Sequence, residues 1–65
     1  MQDLARERRA VDMLIQQAAN WTPREAVAFL LSFDRRFRAV IGSDPSRVDR
    51  LILTSLLRRR ALTDQ

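Results

Sequence analysis

Histidine and cysteine are both missing from this chain of 65 residues. Their absence excludes disulfides, zinc sites with Cys or His ligands, cysteine nucleophiles and acid–base catalysis by histidine. The single glycine, Gly42, leaves no glycine-rich phosphate loop. We therefore expect no enzyme activity, no cofactor and no metal site.

Lysine is missing as well, so all 12 basic residues are arginine, and they outweigh 8 acidic residues to give a net charge of +4. Arginine without lysine is compatible with bidentate recognition of phosphate or carboxylate groups. GC-rich coding is the simpler explanation. Composition alone leaves both explanations open.

Long apolar runs are also absent. No uninterrupted segment approaches the roughly 20 residues that a membrane-spanning helix needs. Met1 is followed by a charged segment rather than by the apolar run of a signal peptide. We expect a soluble, cytoplasmic protein that makes no membrane contact.

The segment around Thr22 has the pattern of a helix start. Thr22 and Glu25 have the spacing of a capping box, and Pro23 occupies the first helical position. Trp21 precedes the cap and is placed to pack over Ala26 as a hydrophobic staple. These signals predict that a helix begins at Pro23 and that Trp21 has a structural role.

Apolar spacing predicts three helices, over about residues 3–19, 23–41 and 45–62. Gly42 is expected to end the second helix, and Asp44 to cap the third with Pro45 at its first position. Two ion pairs at i,i+4 spacing are also expected, Arg8 with Asp12 and Asp34 with Arg38. The expected core positions are Leu4, Val11, Leu14, Ala18 and Trp21, then Ala26, Leu30, Phe33, Phe37 and Val40, then Val48, Leu51, Ile52, Ser55 and Leu56.

The expected fold is therefore all-α, a single domain over residues 1–65 with a helical hairpin and a third helix in a small bundle. A core of this size is marginal for independent folding. Without disulfides or metals, association is the remaining source of stability. We expect a homodimer that completes the bundle.

Apolar residues outside these core stripes predict an interface, because a monomer cannot cover them. The favoured function is a small non-enzymatic adaptor or regulator that binds a helical or acidic protein partner, with apolar anchors and an arginine rim. The residues assigned to partner binding are Val27, Leu31, Leu53, Leu57, Arg35 and Arg38.

DNA binding by a small basic transcriptional regulator is the alternative. Residues 37–56 partly fit a helix-turn-helix, with Gly42 in the turn. The long helix before the turn, Arg38 at a position that favours a small residue, and the outward Leu53 and Leu57 count against it. The candidate nucleic-acid contacts are Arg47, Arg50, Arg58, Arg59 and Arg60.

Residues 4–41 resemble the helical hairpin of the small adaptors that direct phycobilisome degradation in cyanobacteria. A third helix and the turn at residues 42–45 depart from that two-helix pattern, so no family is assigned. The residues that carry the resemblance are Thr22, Ala26, Phe29, Leu30 and Leu31.

Overall fold

The computed structural model describes residues 4–62, which form four α-helices and no strand. They are α1 (Leu4–Ala18), α2 (Pro23–Leu31), α3 (Phe33–Ile41) and α4 (Arg47–Ala61). The expected all-helical fold is confirmed, but three helices were expected and these residues contain four. The core role expected for Leu4 lies outside the described side chains.

The first helix buries the stripe that its spacing predicted. Val11, Leu14 and Ala18 are all buried, while Met13 on the opposite side is exposed. Arg8 pairs with Asp12 across one turn at 3.6 Å, as expected. This helix therefore presents one apolar face to the core and one charged face to solvent.

The start of α2 is confirmed in detail. The Thr22 hydroxyl accepts from the Glu25 backbone N–H at 3.1 Å, and the Glu25 carboxylate accepts from the Thr22 backbone N–H at 2.8 Å. Pro23 is the first residue of the helix. The Trp21 ring packs against Phe29, with ring centroids 5.2 Å apart, and is half-buried.

The helix expected over residues 23–41 is wrong as a single element, because it breaks at Ser32. Ser32 leaves helical geometry with φ −134° and ψ 49°, and its N–H donates to the Phe29 carbonyl. No proline or glycine causes this break. Phe33 and Phe37 of α3 are buried in the same core cluster as Val11 and Leu14 of α1.

The turn after α3 begins as predicted and ends differently. Gly42 adopts the left-handed conformation, with φ 100°, and caps α3. Asp44 does not cap the last helix. Ser46 does so, because its hydroxyl accepts from the Asp49 N–H at 3.1 Å, and Asp44 instead pairs with Arg38 at 3.3 Å.

The buried face of α4 differs from the expected one, although Leu56 of the expected face does pack against the core. Leu53 and Leu57, assigned to the partner surface, are 1% and 0% exposed and lie in the core. Leu51 and Ile52, assigned to the core, are 62% and 43% exposed, and Val48 is 60% exposed. Both faces are apolar at helical spacing, so the pattern alone did not distinguish them.

Asp49 continues the buried face of α4 by one turn. Its side chain is only 6% exposed, and it accepts from Arg8 of α1 at 3.1 Å. The ion pair with Arg8 satisfies the charge and allows it to be buried.

One further core assignment needs correction. Val40 is exposed, whereas Phe29 is buried, and Leu30 is half-buried and packs against the core as expected. Phe29, Phe33 and Phe37 form a continuous aromatic row, with successive ring centroids 5.6 and 5.9 Å apart. This row crosses the break at Ser32 and connects α2 to α3.

Contacts between distant residues define how the helices run. Arg8 near the start of α1 meets Asp49 near the start of α4, and Arg60 near the end of α4 donates to the Trp21 carbonyl just beyond α1 at 2.6 Å. Helices α1 and α4 are therefore parallel. The most extensive packing of α4 is with α2, which runs antiparallel to it.

An exposed and a buried leucine, two positions apart in the chain, distinguish the faces of α4. Leu53→Ala should lower the free energy of unfolding by about 2–5 kcal/mol, because it opens a cavity in the core. Leu51→Ala should change it by less than about 0.5 kcal/mol, as for an exposed site. Urea titrations of both variants measure this. Equal losses would contradict the orientation of α4.

The capping box at the start of α2 is open to a similar test. Thr22→Ala removes one acceptor of the reciprocal pair and should destabilise the protein by about 1 kcal/mol. Thr22→Ser keeps a hydroxyl and should retain most of the stability. The difference between their denaturation midpoints reports the cap, and no difference would show that the hydroxyl contributes nothing.

Candidate partner-binding groove

A shallow groove of about 430 Å³ lies between α1 and α4. Ile15 forms one wall, and Leu51, Ile52, Ser55 and Leu56 of α4 form the other, with Arg59 at one end. A second depression, lined by Ala19, Leu56, Arg59 and Arg60, continues it toward the carboxyl ends of the two helices. We call this combined surface the α1–α4 groove.

The groove exists because α4 is apolar on more than one face. Leu53 and Leu57 point into the core with α2, while Ile52 and Leu56, each one residue earlier, line the outer side next to α1. Val48 and Leu51 extend this apolar surface onto the solvent-facing side of the helix. An exposed apolar strip beside a groove is typical of an interaction surface.

Arginine side chains border the groove near the carboxyl end of α4. Arg59 and Arg60 are among its lining residues, and Arg58 is exposed in the same turn of α4. Arg47 is exposed at the opposite end of the helix. Three cations in the last turn also interact favourably with the negative end of the α4 dipole.

The acidic side chains of residues 4–62 lie away from the groove. Each of these carboxylates has a hydrogen-bond or ion-pair partner, and none lines the groove. The pairs are Glu7 with Ser43, Asp12 and Asp49 with Arg8, Glu25 with Thr22, Asp34 with Arg50, and Asp44 with Arg38. The charged groups that line the groove are therefore arginines.

The residues predicted to bind a partner divide into two groups. Val27 and Leu31 on α2 are exposed, at 41% and 82%, as a binding role requires. Leu53 and Leu57 are in the core, so the surface role assigned to them is wrong. Arg35 is exposed on α3, and Arg38 forms an ion pair with Asp44 rather than with Asp34.

The residues predicted to contact nucleic acid also divide into two groups. Arg50 pairs with Asp34 at 2.7 Å and lies over the Phe33 ring, 5.5 Å from its centroid. Arg60 is half-buried against the Trp21 carbonyl. Arg47, Arg58 and Arg59 remain exposed. The structure thus gives Arg50 and Arg60 roles within the fold.

A second groove, of about 400 Å³, lies between α2 and α3 and was not expected from the sequence. Its walls include Trp21, Ala28, Phe29, Ala39 and Val40. The break at Ser32 creates it by bending α3 relative to α2. A continuous helix over these residues would have no such concave surface, and no sequence signal marked the break.

Other kinds of site find no support in the part of the chain that is described. Residues 4–62 contain no cluster of three or more Asp or Glu side chains arranged to hold a metal ion. None of the four helices combines the length and the apolar character that crossing a membrane requires. The chain matches no protein-family model, no curated protein and no solved structure.

The structural role of Arg50 predicts a contrast with Arg47. Arg50→Ala loses an ion pair and a cation–π contact and should lower the free energy of unfolding by about 1 kcal/mol. Arg47→Ala should change it by less than about 0.5 kcal/mol. Thermal and urea denaturation of the two variants test this. If the two variants are equally stable, Arg50 does not stabilise the fold and becomes a candidate for ligand binding.

Proposed function

We propose that the protein is a small non-enzymatic helical adaptor that binds a protein partner through the α1–α4 groove. The observation that carries the proposal is the exposure of Leu51 and Ile52 beside Leu56 and Ile15, on a side of α4 that faces away from the core. Burying such a surface provides affinity, and the arginines at its border orient an acidic partner.

We keep the adaptor role expected from the sequence and assign it to different residues. Ile52 and Leu56 take the place of Leu53 and Leu57, because they occupy the outer side of α4. Val27 and Leu31 of α2 remain exposed, and they offer a second apolar contact for a larger partner.

A DNA-binding regulator is the second candidate, and one observation favours it. The break at Ser32 leaves α3 with nine residues before the turn, which removes the objection that this helix is too long for a helix-turn-helix. Against it, α3 packs more extensively on α1 and α2 than on α4. The exposed side of α4 also presents Val48, Leu51 and Ile52, which do not read base edges.

Matched substitutions on two exposed apolar sites test the adaptor role. Tagged wild-type protein should retain a defined set of proteins from nuclease-treated extract of its host. Ile52→Glu should lose that set, because it places a charge in the interface. Met13→Glu changes an exposed residue on the far side of α1 and should retain the set.

A different outcome would establish the second candidate. Sub-micromolar binding to duplex DNA at physiological salt, lost in Arg47→Glu and kept in Ile52→Glu, would replace the adaptor with a DNA-binding protein. The affinity would then fall steeply as salt is raised, because each phosphate contact releases a counterion.

A further inference from the structure

We propose that Ser32 is a hinge at which two copies of the chain exchange halves, with residues 23–41 of each copy joined into one helix. The first half comprises α1 and α2, and the second half comprises α3 and α4. In the exchanged dimer, each first half packs on the second half of the other copy. The exchange does not depend on the adaptor role, but it builds each α1–α4 groove from both copies, with Ile15 from one and Ile52 from the other.

The packing of the helices divides at this hinge. Helix α4 packs most extensively against α2 and then against α1, and α3 packs against α1. Within residues 4–62, the two helices of the first half pack far less extensively against each other, and so do the two helices of the second half. The packing that holds one copy together therefore lies mainly between its halves, and a second copy can supply the same contacts.

Three hydrogen bonds connect residues on opposite sides of the hinge. With the donor named first, they are Arg8 to Asp49, Ser43 to Glu7, and Arg60 to the Trp21 carbonyl. Each copy carries the donor and the acceptor of each bond. An exchanged dimer therefore forms each of the three bonds twice, and the exchange loses none of them.

The junction between α2 and α3 is a single residue. Ser32 has φ −134° and ψ 49°, and its side chain forms no capping hydrogen bond to α3. The first turn of a helix leaves backbone N–H groups without carbonyl partners, and joining α3 to α2 would provide those partners. Short hinges also favour exchange between copies.

The helix signals at the two ends of residues 23–41 are those of one helix. The capping box at Thr22 starts the segment, and Gly42 in the left-handed conformation ends it. No proline or glycine lies between Arg24 and Ile41. Because the segment contains no stop signal of its own, its local sequence is compatible with one helix as well as with two.

Two charge reversals test the exchange directly. Arg8→Asp places two carboxylates at the contact between Arg8 and Asp49, and Asp49→Arg places two guanidinium groups there. Each variant alone should be less stable to urea than the wild type. In an exchanged heterodimer of the two variants, one contact holds both native residues and the other holds both substituted residues, so both contacts join opposite charges. Refolding the variants together should therefore give a dimer with a higher urea midpoint than either variant alone.

Substitutions at the hinge test whether residues 23–41 join. Alanine favours a helix interior over glycine about fivefold per site, and each dimer contains two joined hinges. Sedimentation equilibrium should therefore give Ser32→Ala a dimer dissociation constant about 25-fold lower than that of Ser32→Gly. Both variants remove the same hydroxyl, so its loss does not affect the comparison.

A proline in the first turn of α3 provides the opposite test. Arg35 is exposed, and proline in this turn removes an N–H that has no intrahelical partner while α3 is a separate helix. In a continuous helix the same proline interrupts the hydrogen bonding. We expect Arg35→Pro to remain a monomer at concentrations where Arg35→Ala forms a dimer, and circular dichroism checks that both are folded.

Several results would overturn the exchange and still leave the adaptor role standing. A mixture of Arg8→Asp and Asp49→Arg that behaves as the sum of its parts would show that the halves do not exchange. Equal dissociation constants for Ser32→Ala and Ser32→Gly, or an Arg35→Pro dimer as stable as that of Arg35→Ala, would show that α2 and α3 do not join. The α1–α4 groove is complete in one copy, so captured proteins would still depend on Ile52 in each of these cases.

Discussion

Burial of Leu53 and Leu57 against α2 determines which side of α4 meets solvent. These two side chains are among the most completely buried in the described residues, and they fix the rotation of the helix about its axis. Once they point inward, Val48, Leu51 and Ile52 must point outward, since they lie on the other faces of the same helix. The groove beside α1 and its arginine border follow from this single choice of face.

Electrostatics within the fold reinforce that arrangement. Asp49 continues the buried face of α4, and Arg8 reaches it from α1. Asp34 takes Arg50, and Asp44 takes Arg38. Each of these pairs holds a helix or turn against its neighbour, so the acidic residues serve the fold.

The sequence predicted local features well where the chemistry is confined to a few residues. The capping box at Thr22, the left-handed cap at Gly42 and the Arg8–Asp12 pair depend only on neighbours in the chain, and all are present. Features that depend on tertiary packing were not predictable in this way. The break at Ser32 has no proline or glycine to mark it, so no local signal predicted it.

The choice of face on α4 is the second feature that sequence alone did not determine. Both candidate stripes are apolar with helical spacing, and the one that is buried begins at a carboxylate, Asp49. Only the partner of Asp49, which lies 41 positions earlier at Arg8, explains its burial. The groove was missed for the same reason, because its walls combine α1 and α4 and its residues are far apart in the chain.

The contacts that hold α1 also have a consequence for the order of folding. Arg8 donates to Asp49, and Arg60 donates to the Trp21 carbonyl, so hydrogen bonds near both ends of α1 hold it against α4. During synthesis α1 leaves the ribosome well before α4, with which it makes these contacts. Short helices are marginal in water without packing partners. We therefore expect the native core to form only after α4 has emerged, with Val11 and Leu14 open to chaperones until then.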